Sequence, residues 1–152
     1  MNIVLLEPEI PSNTVNIGRT CLLTDTVLHL IKPLGFSMED KYLKRSGMDY
    51  WPDVKCIIYE NIEDFYIKNR NGKFYYATTK TTRKYSDVVY KKNDYIIFGK
   101  ESKGIPENIL EKNSETCITI PMGANGRSLN LSNAAAIILY EALRQNNFEF
   151  GY

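Results

Sequence analysis

Six short apolar runs recur along this chain: NIVLLE (2–7), TVLHLI (26–31), KCIIY (55–59), KFYYAT (73–78), DYIIFG (94–99) and CITIPM (117–122). Each has strand length and is apolar almost without interruption, where a half-exposed strand would alternate. A strand that is apolar on both sides must be covered on both faces, as in a parallel sheet lying between helices. Helix-length stretches fall between most of the runs, at 13–23, 38–45, 62–68, 106–111 and 131–145. The alternation predicts an α/β fold, a mostly parallel sheet with helices on both faces. With 152 residues and neither a repeat nor a linker-like tract, one domain spanning 1–152 is expected.

The last helical stretch adds a constraint. Leu131, Ala134, Ala135, Ile138 and Ala142 form one apolar stripe, and Ile137, Tyr140 and Leu143 widen it past a single face. Burial within one chain would account for the stripe. The extra width favours a homodimer.

Composition narrows the function classes. A net charge of +1 excludes a strongly basic, sequence-blind nucleic-acid coat and leaves room for a local basic patch. The longest apolar runs are too short to cross a bilayer, and the first residues show no secretion signal, so a cytoplasmic protein is expected. Cys21, Cys56 and Cys117 are widely spaced and read as reduced thiols. His29 is the only histidine and sits inside a strand run, so neither a zinc site nor a Ser-His-Asp triad is expected.

Ligands of parallel α/β sheets gather beyond the carboxyl ends of the strands. Three junctions there carry unusual residues. In EPEIPSNTVNIGRTC (7–21), Pro8 and Pro11 stop the strand, Ser12 or Asn13 can cap the helix, and Asn16 and Arg19 follow. Arg19 has no acidic residue four positions away on either side. In IIFGKESKGIPENIL (96–110), Gly99 ends a strand where backbone can approach a ligand, and Pro106 suits a first helical position. In IPMGANGRSLNLSNAAAIILYEALRQ (120–145), Gly, Asn, Ser and one Arg crowd the approach to the apolar helix. No phosphate loop and no GxGxxG is present, which argues against a nucleoside triphosphate or an ordinary dinucleotide site. Three such junctions specify a pocket of backbone amides and neutral polar groups, suited to a zwitterionic or nucleoside-like ligand.

PEIPSNTVNIGR, FGKESKGIP and the 120–145 stretch resemble the three motifs of the SPOUT class of RNA methyltransferases. The likeness is closest to the small branch of the tRNA (cytidine(34)-2′-O)-methyltransferase type, and it runs from Asn2 to about Gln145. The resemblance implies a C-terminal deep trefoil knot, a homodimer built on the first and last helices, and S-adenosyl-methionine as donor, with S-adenosyl-homocysteine as product. It implies the anticodon loop of tRNA as partner, methylated on the ribose of a wobble cytidine or modified uridine. Carried over by motif, cofactor contacts fall on Ala77, Thr78, Gly99, Ile120 and Ser128, with Asn133 beside them. Asn13, Asn16, Glu101, Asn130 and Tyr140 shape the substrate side or the interface, and Arg19 takes the catalytic place. No metal is implied. Val15 stands where the family commonly has glycine, which would narrow the RNA entrance.

Transfer to a ribose oxygen calls for alignment and for removal of a hydroxyl proton. Guanidinium groups in proteins stay protonated, so Arg19 reads as a ligand for phosphate or developing alkoxide charge, with a phosphate or water taking the proton. The segments TTKTTRKYS (78–86) and DKYLKRSGMDYW (40–51) combine Lys and Arg with Tyr and Trp, a pattern suited to phosphates and stacked bases. Two rival readings are a catalytically inactive RNA-binding module of the same fold and a small-molecule phosphotransferase.

Overall fold

The computed structural model describes residues 1–38 and 48–150. Six parallel strands form one sheet: β1 (Asn2–Leu6), β2 (Val27–Ile31), β3 (Cys56–Tyr59), β4 (Phe74–Ala77), β5 (Tyr95–Phe98) and β6 (Cys117–Ile118). Their spatial order is β3-β2-β1-β5-β4-β6. The registers Ile3↔Leu28, Ile3↔Ile96 and Tyr75↔Ile96 place residues of equal height side by side. Among the described residues four helices connect or flank them: α1 (Pro11–Leu23), α2 (Ile62–Lys68), α3 (Glu107–Lys112) and α4 (Leu131–Gln145).

Strand alternation divides the core in two. Ile3, Leu5, Leu28, Leu30, Tyr75, Ile96, Phe98 and Ile118 point to one face and pack under α1 and α4, through Ile17, Cys21, Ala135, Ile138, Leu139 and Ala142. Val4, Leu6, Ile31, Tyr59, Tyr76, Ile97 and Cys117 point to the other and pack under Phe65 of α2 and Leu110 of α3. The expected parallel sheet with helices on both faces is therefore present.

Several boundaries differ from expectation. The sixth run pairs only at Cys117–Ile118, with a further bridge from Thr119 to Lys84. Beyond it Pro121 lacks an N–H, and residues 121–130 are exposed. The helix expected at 38–45 lies almost wholly outside the described residues. A 3-10 helix at Met48–Asp53 follows instead, carrying Tyr50 and Trp51. These two aromatic residues, expected to stack on RNA bases, turn toward α1. Tyr50 Oη donates to Val15 O at 2.9 Å, and a Cβ on Gly18 would lie 2.4 Å from Trp51 Cζ3, so Gly18 clears the space for the indole.

His29 is buried within β2, as a packed strand residue. Its Nδ1 lies 2.9 Å from Tyr59 Oη and its Nε2 3.1 Å from Asn2 Oδ1. Asn2 Nδ2 donates to the carbonyls of Asn93 and Asp94, so Oδ1 is left to accept and the Nε2–H tautomer satisfies both contacts. Burial pushes the imidazole down to about 4.

Candidate active site

Three strands end at one cavity of about 520 Å³. Its wall takes Ala77–Lys80 from the end of β4, Phe98–Ile105 from the end of β5, and Ile118–Ile120 with Met122 from the end of β6. Ser128–Asn130, leading into α4, and Leu131, Ala134 and Ile138 on it close one side, and Ile10 and Asn13 at the start of α1 close another. The volume is that of a small-molecule site, and its place beyond the carboxyl ends is where parallel sheets bind ligands.

The junctions are stitched together by side chains. Glu101 is the hub: its carboxylate accepts from the backbone N–H groups of Glu9 (2.8 Å) and Ile10 (3.1 Å) and from Asn13 Nδ2 (3.0 Å). It thus satisfies N–H groups at the start of α1, a place where negative charge is favoured. Glu9 reciprocates by accepting from Ser102 N–H (2.9 Å) and Ser102 Oγ (2.8 Å), and those bonds hold its carboxyl below the usual range. Asn13 Oδ1 accepts from Asn130 Nδ2 at 2.9 Å. Asn130 Oδ1 in turn caps α4 by accepting from Ser132 N–H (2.9 Å) and Asn133 N–H (3.4 Å). One relay therefore runs Glu101–Asn13–Asn130–α4.

This relay corrects the expected caps. Neither Ser12 nor Asn13 caps α1; Ile10 occupies the cap position without a side-chain bond, and Pro11 opens the helix. Asn13 is buried and spent on Glu101 and Asn130. Pro106 sits one residue earlier than expected, at the cap of α3. Gly99 also has a different reason to be glycine: a Cβ there would lie 2.0 Å from Gly104 C and 2.2 Å from Ile105 N. The close approach is to the chain's own backbone. Gly104 answers it at φ 70°, in the left-handed region.

Of the residues singled out in the sequence, Asn13, Ala77, Thr78, Gly99, Glu101, Ile120, Ser128 and Asn130 line the cavity. Arg19, Asn16, Asn133 and Tyr140 do not. Asn16 and Arg19 lie on the exposed face of α1, where the Arg19 guanidinium sits 5.8 Å from the centre of the Tyr50 ring. Asn133 and Tyr140 lie on the exposed face of α4. Val15 is buried, so its side chain narrows no entrance. Sequence reasoning missed Phe98, Met122 and Leu129 in the wall, and it marked Lys80 for RNA phosphates and not for the cavity. Only their closeness to the strand ends could have marked them.

The profile of the SpoU rRNA Methylase family matches residues 1–140. A Listeria monocytogenes protein with the provisional name tRNA (cytidine(34)-2′-O)-methyltransferase is 55% identical over 150 residues, covering 97% of this chain and 89% of that protein. The tRNA (cytidine(34)-2′-O)-methyltransferase of Methylovorus glucosotrophus is 46% identical over 148 residues, covering 97% and 96%. A solved structure described as giving insight into the 2-OH methylation of C/U34 on tRNA superposes with a TM-score of 0.90 at 36% identity, covering 96% and 95%.

Proposed function

The chain belongs to the SpoU rRNA methylase family, and we propose that it methylates the ribose 2′-oxygen of tRNA nucleotide 34, with S-adenosyl-methionine as donor. The observation that carries this reading is the meeting of all three motifs at one cavity, in a chain similar along nearly its whole length to proteins so named. The donor's sulfonium supplies the methyl group. The lining suits a donor of this kind: the Gly99–Ile105 and Thr119–Ile120 backbone offers amides and carbonyls, and Phe98, Ile118, Leu131 and Ile138 offer apolar contact.

Most of the barrier reduction comes from alignment, which is worth about 7–11 kcal/mol when two reactants are fixed in register. Here Asn130 and Asn13 hold the 120–130 segment against the Glu101 hub, so the wall keeps its shape around both reactants. Arg19 stabilises phosphate or alkoxide charge. It lies outside its own chain's cavity, so it reaches the reacting atoms from a second copy. The surface for that copy is the exposed stripe Ser12, Asn16, Arg19 and Leu23 of α1 beside Asn133, Ile137 and Tyr140 of α4. Leu23 is 67% exposed and Tyr140 46%, an apolar cost that a homodimer would remove. A monomeric mass in light scattering at micromolar concentration would rule this arrangement out.

The C-terminal part is threaded into a deep trefoil knot. Supporting this, Tyr85 N–H donates to Thr119 O and Thr119 N–H to Arg83 O, while Gln145 Nε2 donates to Val88 O and Tyr90 N–H to Gln145 Oε1. The 78–94 segment is thereby tied both to Thr119, just past β6, and to the end of α4. A crystal structure whose backbone pulls straight from its ends would remove the knot. The 78–86 segment, with Lys80, Arg83 and Lys84, takes the phosphates of the anticodon loop, which compete with Glu107 for Lys80 and with the Glu115 carbonyl for Arg83. Binding that weakens steeply with salt would support this contact.

The test of the activity is incubation with labelled S-adenosyl-methionine and bulk tRNA, followed by mapping of the methylated nucleotide. Label on a 2′-oxygen at position 34 is expected; label elsewhere, or none, refutes the assignment. Arg19→Ala is expected to lower turnover on the order of 100-fold with donor affinity unchanged.

A further inference from the structure

Of the three lysines in the cavity wall, Lys80, Lys100 and Lys103, the first two are held in ion pairs. Lys80 is held by Glu107, and Lys100 by Glu7, whose Oε2 lies 2.5 Å from Lys100 Nζ. The second pair is the more sheltered, its side chains 28% and 31% exposed against 54% and 61% for the first. Glu7 is not part of the wall. It follows β1 with φ 51°, a left-handed conformation that strains a non-glycine residue. Among the described residues its side chain hydrogen-bonds only Lys100. The nearby carboxylates are committed elsewhere, Glu101 to Glu9, Ile10 and Asn13, and Glu9 to Ser102.

The methyl donor and its demethylated product share adenosine, ammonium and carboxylate. They differ by one methyl group and one positive charge at sulfur. An unpaired cation in the wall would act on that difference and cancel out of everything the two share. We propose that Glu7 is a specificity-determining residue: by neutralising Lys100 it takes one positive charge out of the cavity wall and shifts the preference toward the charged donor over the neutral thioether. This rests on the reading of the cavity as the donor site. Glu7 acts through Lys100, so it is a positioning and charge-setting group that touches neither reactant.

The experiment measures calorimetric affinities of the chain without RNA for S-adenosyl-methionine and S-adenosyl-homocysteine, in wild type, Glu7→Gln, Lys100→Gln and the double variant. Glu7→Gln leaves Lys100 unpaired in the wall and is expected to shift the donor-to-product affinity ratio about fivefold against the donor at low salt, and less at high salt. Lys100→Gln leaves Glu7 unpaired and shifts the ratio the other way. The double variant restores it. Ratios unchanged in both single variants overturn the inference, and so do affinities for the two ligands that fall together. If the strained position prevents Glu7→Gln from folding, the opposite shift in Lys100→Gln carries the test alone. Wild type that binds neither ligand removes the donor-site reading itself, a separate failure from an unmoved ratio.

Discussion

Two hydrogen-bond networks bracket this sheet, and they are built from different materials. Under α2 the chain Asn2–His29–Tyr59–Asn69–Tyr95 is set among aromatic rings: Phe65 meets Tyr59 at 5.2 Å and Tyr95 at 5.7 Å, both edge-on. At the carboxyl ends the relay Glu101–Asn13–Asn130 lies among loops and beside a cavity. The first network spends its polar groups inside an apolar cluster and holds the fold. The second spends them between loops and holds the shape of an opening. Damage to the first should appear as lost stability with donor affinity intact; damage to the second should show the reverse.

Phe65→Ala tests the contrast most severely. Phe65 is fully buried and touches the rings of His29, Tyr59, Tyr66, Phe74 and Tyr95. Its truncation is expected to cost about 3–5 kcal/mol in urea unfolding. Donor affinity of the folded protein should stay at the wild-type value. A tenfold loss of affinity would mean that the two regions are not separable.

The same cluster makes stability pH-dependent. His29 is held near 4 in the fold, against 6.5 for the free side chain, so the unfolded chain binds the extra proton between those values. Its contribution is complete above about pH 6.5 and is lost as pH falls toward 4. At pH 5 the protein should be about 2 kcal/mol less stable than at pH 7.5 from this group. Denaturant curves at the two pH values measure the difference, and His29→Gln should flatten it. An unchanged slope in that variant would assign the pH dependence to carboxylates.

The two regions also differed in how plainly the sequence announced them. Runs such as DYIIFG and TVLHLI show their burial directly, because a strand covered on both faces has to be apolar at every position. The sheet and the stripe on α4 were readable for that reason. The reciprocal Glu9–Ser102 and Glu101–Glu9 bonds join residues 92 or 93 positions apart, and no local pattern records such a pairing. Glu101 and Asn13 stood out by motif, whereas their bond to each other is a product of strand order, β1 beside β5. Gly99 shows the limit most clearly: its glycine was legible, but the backbone it clears belongs to Gly104.

Asn13→Ala attacks the second region. It removes two hydrogen bonds, worth about 0.5–1.5 kcal/mol each, and frees Asn130 from the Glu101 hub. Donor affinity is expected to fall about tenfold in calorimetry, with a smaller proportional loss of stability than Phe65→Ala causes. An unfolded variant with native-like affinity in the surviving fraction would make Asn13 a structural residue only.

The smallest effect comes from the one imperfection in the second region. Thr14, beside Asn13 on α1, is fully buried, and its Oγ1 has no hydrogen-bond partner among the described residues. The aromatic network leaves no such orphan among them. A buried hydroxyl without a partner pays its desolvation for nothing, so the nearly isosteric Thr14→Val should be neutral or raise stability by up to about 1 kcal/mol. Donor affinity and turnover should not move if the hydroxyl is a bystander of helix packing. A variant that gains stability but loses turnover would instead place Thr14 with the functional groups, because a polar atom kept unsatisfied at a stability cost belongs where the chemistry needs it.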